Sequence, residues 1–455
     1  MAALFFVGLL LYYAAFLRGG SGNASELARL LWFIYLALAC SAMFIAATDV
    51  LVPVFPPDYT SALFLMLCVL ISISGFLAFR ARDVRNAIDT IRGQGLIETV
   101  LIGSQACAIV FFLPFAIDSL LGDANENRLN LVDKMEIMGS YGLLNTFAGA
   151  ASQLFGASLV MACVRLSQPK RRGLNMLRAC MLIVASLSYV IYILAYVGRD
   201  GVVYWLMTAL AVFLVFRGHM AAHLRRQIVM LGTVIGALMM LPFIAITAAR
   251  FVDSEYGSAW SILDYFGSQI QTFSDYSSIE RPLTLGIANF PMFLNAACNI
   301  AVGIGCEDWE DLKPLIFEQY LVQGKEPWLF GTYVSDFVGD FGYAGTLALL
   351  SVFALLCHTA CRSDEERRRL TIARLLLILF CFLVPYWGVF YFRFSIINGF
   401  IVVNLAFIVA VSWLQRVAPA RRYRPRTRTT SATANQSSTL VAADTVPPRP
   451  DLTAS

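Results

Sequence analysis

The stretch GTYVSDFVGDFGYAGTLALL, from Gly331 to Leu350, opens an apolar run that continues to residue 361. Crossing the hydrocarbon of a bilayer takes about 20 predominantly apolar residues in helical form, and this run has them. Two carboxylates, Asp336 and Asp340, stand four residues apart at its mouth. That spacing is one helical turn, so both share a face. Ionised groups at membrane depth are costly, and they face a cavity or a partner.

The rest of the chain reads the same way. Of its 455 residues 58% are hydrophobic and 14% charged, against about 25% charged in a soluble domain. One soluble core cannot hide that much apolar surface, so the composition specifies an all-α, multi-spanning membrane protein. About eleven apolar segments of spanning length are predicted, near residues 2–17, 29–48, 60–79, 95–117, 139–164, 177–197, 201–216, 227–249, 335–361, 371–391 and 394–414. The seventh is short. The first, ALFFVGLLLYYAAFL, has no basic region before it and no small-residue cleavage site after it, and is expected to be a retained span.

Lysine and arginine in the short connections set the expected orientation. FRARDVRNAIDTIRG, RLSQPKRRGLNMLR, RGHMAAHLRRQ, CRSDEERRRLTIAR and the start of the tail, QRVAPARRYRPRTRTT, occupy alternate connections. All five fall on one side, the cytoplasm, if the N-terminus lies outside and the C-terminus inside. Four regions follow: helices over 1–249, a large outer loop over 250–334, helices over 335–414, and a basic tail over 415–455 rich in Ser, Thr and Pro, a composition expected to stay disordered. Loops longer than about 15 residues are often functional. This one carries two apolar-aromatic stretches, AWSILDYFGSQIQTF and LTLGIANFPMFLNAACNIAVGIG, that read as interfacial or re-entrant helices.

No nucleotide loop, zinc-helix motif or nucleophile elbow occurs. The ten cysteines form no CxxC pair, and most lie inside apolar runs; Cys298 and Cys306 fall in the outer loop. The three histidines, His219, His223 and His358, all fall at cytoplasmic span ends, which gives no metal site and no histidine chemistry outside. Arginines and carboxylates at the outer span ends remain: Arg199, Asp200, Arg250, Asp275, Glu280, Arg281, Asp336, Asp340 and Arg393. Taken singly, each reads as an interfacial residue or a structural ion pair. Together they suit a ligand, because the guanidinium fork matches phosphate oxygens. A membrane-embedded phosphate or pyrophosphate would account for the arginines. The carboxylates would supply a base or bind sugar hydroxyls.

DYFGSQIQTFSDY, TLGIANFP and GTYVSDFVGDFGYAGTLALL, in that order on one side, together with the turn GRDGVVYWL, resemble the bacterial oligosaccharide repeat-unit polymerases, the Wzy-type O-antigen polymerases. The likeness covers Arg199 to Leu350 and the overall topology. It implies a GT-C-like bundle in the bacterial inner membrane, with a periplasmic N-terminus and large loop. It also implies a glycosyltransferase that needs no metal or cofactor and binds no nucleic acid. Such an enzyme moves a growing glycan from undecaprenyl pyrophosphate to a lipid-linked repeat unit, and a chain-length regulator is an expected partner. The implied roles are a base among Asp275, Asp336 and Asp340, with Arg199, Arg250, Glu280, Arg281 and Arg393 binding pyrophosphate and sugar. The loop has none of the arginine-rich repeats of some polymerases. An O-antigen ligase would have the same donor and a lipid A core acceptor, but the chain lacks an outer histidine of the ligase kind. A transporter or flippase would show polar residues in mid-span and broken helices, whereas the charges here gather at span ends.

Overall fold

The computed structural model describes residues 1–18, 25–47, 58–121, 137–168, 172–196, 198, 200–250, 267–277, 283–294, 318–319, 321–322, 331–362, 370–392, 394 and 398–417, with backbone only at 120–121, 172, 239–250 and 277. Among the described residues the regular elements are helices, with no strand. Lipid offers no hydrogen-bond partner, so a spanning backbone must pair within itself. Met1–Ala418 forms one compact unit, and the second unit, Pro419–Ser455, lies outside the described residues.

The helices are α1 (Ala2–Tyr12, extended by a π-turn over Tyr13–Leu17), α2 (Glu26–Ala47), α3 (Tyr59–Ser74), α4 (Val84–Thr90), α5 (Gln94–Leu121), α6 (Leu143–Ser152), α7 (Phe155–Ser167) and α8 (Arg172–Ser186). After them come α9 (Ser188–Ala195), α10 (Asp200–Phe216), α11 (Ala222–Arg250), α12 (Gln269–Ser277), α13 (Thr332–Cys361), α14 (Ile372–Trp387) and α15 (Asn398–Val417). The described parts of the eleven expected segments lie largely on helix. Among the described residues six stretches are long and apolar enough to cross a membrane: Glu26–Ala47, Gln94–Ser119, Gly173–Ala195, Asp200–His219, Thr332–Cys361 and Asn398–Val417. The α6–α7 pair makes a seventh if it is one span, though it bends by 44°. α1, α3 and α14 are shorter apolar helices. The protein is therefore an all-helical membrane protein.

An aromatic cluster gathers around the buried Trp387, at the end of α14. Phe155 and Tyr189 stack parallel to it, with Tyr204, Phe394 and Phe400 around the rim. Its indole N–H donates to the Thr208 hydroxyl at 3.2 Å, the partner a buried indole requires. Close helix approach relies on small residues. A Cβ on Gly75, just past α3, would stand 3.1 Å from the α13 backbone at Ala354. On α13 itself Leu350, Ala354, Cys357 and Cys361 are buried, while Val352, Leu355 and Leu356 are exposed. An exposed row of this kind suits lipid, not water.

Polar ties join the two ends of the chain. The Tyr35 hydroxyl on α2 donates to the Pro385 carbonyl on α14 at 2.8 Å. Ser72 on α3 and Tyr333 on α13 share a hydrogen bond of 2.6 Å. Arg92, just before α5, reaches the Gln415 carbonyl on α15 at 3.4 Å. On α5, Glu98 is fully buried and receives Arg165 of α7 and Arg178 of α8.

Candidate functional site at the head of helix α13

The first turn of a helix has N–H groups with no partner inside it. On α13 two of them are taken by the turn that follows α14. Thr332 N–H donates to the Phe390 carbonyl and Tyr333 N–H to the Gly388 carbonyl, each at 2.8 Å. The approach is tight: a Cβ on Gly388 would stand 2.8 Å from the Tyr333 side chain. In return, the backbone N–H of Phe392 donates to Asp336 Oδ2 at 2.5 Å. Asp336, half-buried, thus binds the α14–α15 connection to α13.

Asp340 binds a different segment. One turn along, its carboxylate is fully buried. Oδ1 accepts from the Thr284 hydroxyl and from Ala288 N–H at 3.3 Å. Oδ2 accepts from Asn289 N–H at 3.1 Å and from the Asn289 amide at 2.6 Å. The Asp340 carbonyl also accepts from Leu285 N–H at 2.9 Å. Four donors converging on one carboxylate fold the 284–289 turn around it. The turn needs left-handed backbone at Leu285 and Gly286, with φ of 50° and 98°. Gly342, two residues beyond Asp340, breaks the helical path of α13 at φ 67° and ψ 179°, a region essentially confined to glycine.

Two asparagines close the junction. Besides holding Asp340, the Asn289 amide donates to the Asp336 carbonyl at 2.9 Å. Asn398, at the start of α15, donates to the Asn289 and Phe394 carbonyls at 3.0 and 2.6 Å. Its own oxygen accepts from Met292 N–H at 3.2 Å. Further along α15, Phe400, Asn404 and Phe407 line a small apolar pocket, with Gly156, Thr208 and Leu383 opposite.

The structure thus brings Asp336 and Asp340 together with the 283–294 and 388–394 segments. Their hydrogen-bond partners named here are backbone and uncharged side chains, not arginine. Asp200, which begins α10, joins the same neighbourhood, since the Tyr391 hydroxyl donates to its Oδ2 at 3.4 Å. Asp275 lies apart on α12, where the Gln271 amide donates to it at 3.1 Å. That helix meets the entrance of α13, because a Cβ on Gly331 would stand 3.4 Å from the Phe273 backbone. Its Ser274 hydroxyl accepts from Asp58 N–H at 3.3 Å. Asp58 caps α3, and the Ser61 hydroxyl foremost, with N–H groups of Thr60 and Ser61, holds its carboxyl below the usual range.

Arg199, Glu280, Arg281 and Arg393 lie outside the described residues, as do Cys298, Cys306, Trp260, Trp309, Trp328 and most of the large loop. Arg250 ends α11 with only its backbone described. Of the two apolar-aromatic loop stretches, the described parts are α12 with its approach and a turn over 283–294. His219 is half-buried, with its ring bonded to the Ala81 carbonyl at 2.8 Å. Among the described residues no three of His, Cys, Asp and Glu are grouped to hold a metal.

Sequence reasoning passed over Thr284, Asn289, Asn398 and Tyr391. A signal existed for the asparagines, since an amide inside an apolar run has donors and acceptors that must be met. No family model matches the chain, and no curated protein or solved structure matches it.

Proposed function

We propose that the protein is a repeat-unit polymerase, a membrane glycosyltransferase that moves a growing glycan from a polyprenyl pyrophosphate to a lipid-linked acceptor. One observation carries it. Asp336 accepts from Phe392 N–H, Asp200 accepts from neighbouring Tyr391, and in the sequence Arg393 and Arg199 directly adjoin Phe392 and Asp200. Three stretches far apart in the chain meet there, and in the sequence two of them lead into arginines.

The proposed chemistry needs those groups. Displacing a sugar from pyrophosphate builds positive character on the ring and negative charge on the leaving group. Fixed cations stabilise the latter, a role for Arg199 and Arg393, with Arg250 and Arg281 as further candidates and Glu280 toward sugar hydroxyls. A carboxylate takes the proton of the acceptor hydroxyl. We assign that role to Asp336, which is half-buried, ahead of Asp275. Asp340 acts through the turn it folds, as a positioning residue. Eleven spans, a GT-C-like arrangement, an inner-membrane location and an outside N-terminus belong to the same proposal.

Deleting the gene and running surface glycan on a gel tests it. Single repeat units on the acceptor mean that a polymerase is lost. Naked acceptor with polymer stranded on the carrier lipid means that a ligase is lost. Unchanged glycan refutes both and favours transport. In a complemented strain, Asp336→Asn should abolish polymer while the protein stays in the membrane at its normal level.

A further inference from the structure

At the opposite ends of other helices a second polar cluster plays no part in the proposed chemistry. Glu98, one turn into α5, is fully buried. Arg165 of α7 grips it with two N–H groups, at 2.5 and 2.7 Å. Arg178 of α8 adds a third bond at 3.0 Å, and the Gln94 amide a fourth at 2.9 Å. The carboxylate is saturated, yet two guanidiniums share one negative charge. The cluster carries a net positive charge. The connection from Arg165 to Arg178 adds Lys170, Arg171 and Arg172 and contains no acid.

The excess charge has an outlet. Arg165 is 16% exposed, but Arg178 is 44% exposed. Arg178 uses one N–H on Glu98, and its remaining N–H groups have no partner among the described residues. Its guanidinium lies against the α5 backbone, where a Cβ on Gly95 would stand 3.7 Å from Nη1. The flanks are oily: Leu174, Leu177 and Met181 on α8, and Leu96 and Val100 on α5, are all exposed. A cation framed by exposed aliphatic side chains at the ends of apolar helices suits the boundary between acyl chains and headgroups. A guanidinium held by one bond keeps its other donors aligned for phosphate oxygens.

We propose that the mouth formed by α5, α7 and α8 binds the phosphate of an anionic phospholipid headgroup, with Arg178 as its donor and Glu98 and Arg165 holding Arg178 in place. Basic pockets at helix ends bind such headgroups elsewhere. Both the exposed donors and the adjoining aliphatic surface are used by a phospholipid, whereas a soluble phosphate would use only the first.

The test is native mass spectrometry of the full-length protein released from nanodiscs of mixed phosphatidylcholine and phosphatidylglycerol. Wild type should retain phosphatidylglycerol over phosphatidylcholine. Arg178→Gln should bind it about tenfold more weakly, the effect of losing one charge-assisted bond. Arg178→Lys should fall between. Arg85→Gln, which removes an exposed cation paired with Asp89 on its own helix, should match wild type. Thermal unfolding of the wild type alone gives an independent arm. Phosphatidylglycerol should raise its midpoint, and inorganic phosphate added to phosphatidylcholine discs should not. Equal retention by wild type and Arg178→Gln, or equal stabilisation by inorganic phosphate, overturns the proposal.

Discussion

Replacing Asp340 by asparagine asks how the head of α13 is built. The carboxylate receives three N–H donors and one hydroxyl. An asparagine must put its NH2 where one oxygen was. At Oδ2 it would oppose the Asn289 backbone N–H, which cannot reverse, and the Asn289 amide, whose flip would turn its oxygen onto the Asp336 carbonyl. At Oδ1 it would oppose Ala288 N–H and the Thr284 hydroxyl, and the hydroxyl can rotate to accept. The second orientation wins and leaves one buried N–H unmet. Such a group costs about 1–3 kcal/mol, so Asp340→Asn should lose about 2 kcal/mol. Asp340→Ala leaves several donors unmet and should lose at least twice as much, on the order of 4 kcal/mol. Denaturant unfolding in a fixed detergent measures both, and the complemented deletion strain reports polymer length. Polymer should shorten or vanish with Asp340→Asn, in step with the disturbed turn. Two results would refute this account: an Asp340→Ala protein as stable as wild type, or full-length polymer from it.

Gly342→Ala should cost about 1–3 kcal/mol through the backbone alone, because the nearest atoms to the added Cβ, on Leu283, are an ordinary 3.6 Å away; the same unfolding assay reads it, and Gly342→Ser should match. Glu98→Gln leaves two guanidiniums without their counter-charge and should cost about 3–5 kcal/mol, visible as lower yield of folded protein, with partial recovery in Glu98→Gln/Arg178→Gln. Asp58 has a lowered folded pKa, so the stability it adds is present above the usual carboxylate range and is lost as pH falls through its depressed value. Asp58→Asn should flatten that acid limb in a pH series of thermal midpoints and leave the neutral midpoint little changed, since asparagine also caps helices.

Much of the architecture is legible because lipid imposes one strong rule. A segment of sufficient apolar length becomes helix, so the apolar helices could be expected from composition alone. Breaks within them were harder to see. The bend between α6 and α7 and the turn at Gly342 depend on neighbouring backbone, and LFGAS and DFGYA contain nothing that forbids helix. Asp336 and Asp340 were legible as a pair, because charge in an apolar run demands an explanation. Their partners were not. The expected counter-ions were arginines, but Asp340 is met by the hydroxyl of Thr284 and the amides of Ala288 and Asn289, groups that every loop contains. Backbone donors have no sequence signature, so a carboxylate satisfied by them looks unpaired until the fold is known.

The ties from Tyr35 to Pro385 and from Ser72 to Tyr333 bear on how the chain is made. Translation delivers α2 and α3 to the membrane hundreds of residues before α13 and α14 exist. Until then the Tyr35 hydroxyl has no Pro385 carbonyl, and Ser72 has no Tyr333. Ser72 can meanwhile donate to the Cys68 carbonyl of its own helix, at 2.9 Å in the finished fold, but the Tyr35 hydroxyl must wait in lipid unmatched, and the bundle closes only when the last quarter of the chain arrives. A ribosome that stops short leaves an open assembly whose buried polar groups face lipid, a form that membrane proteases can distinguish from the finished protein.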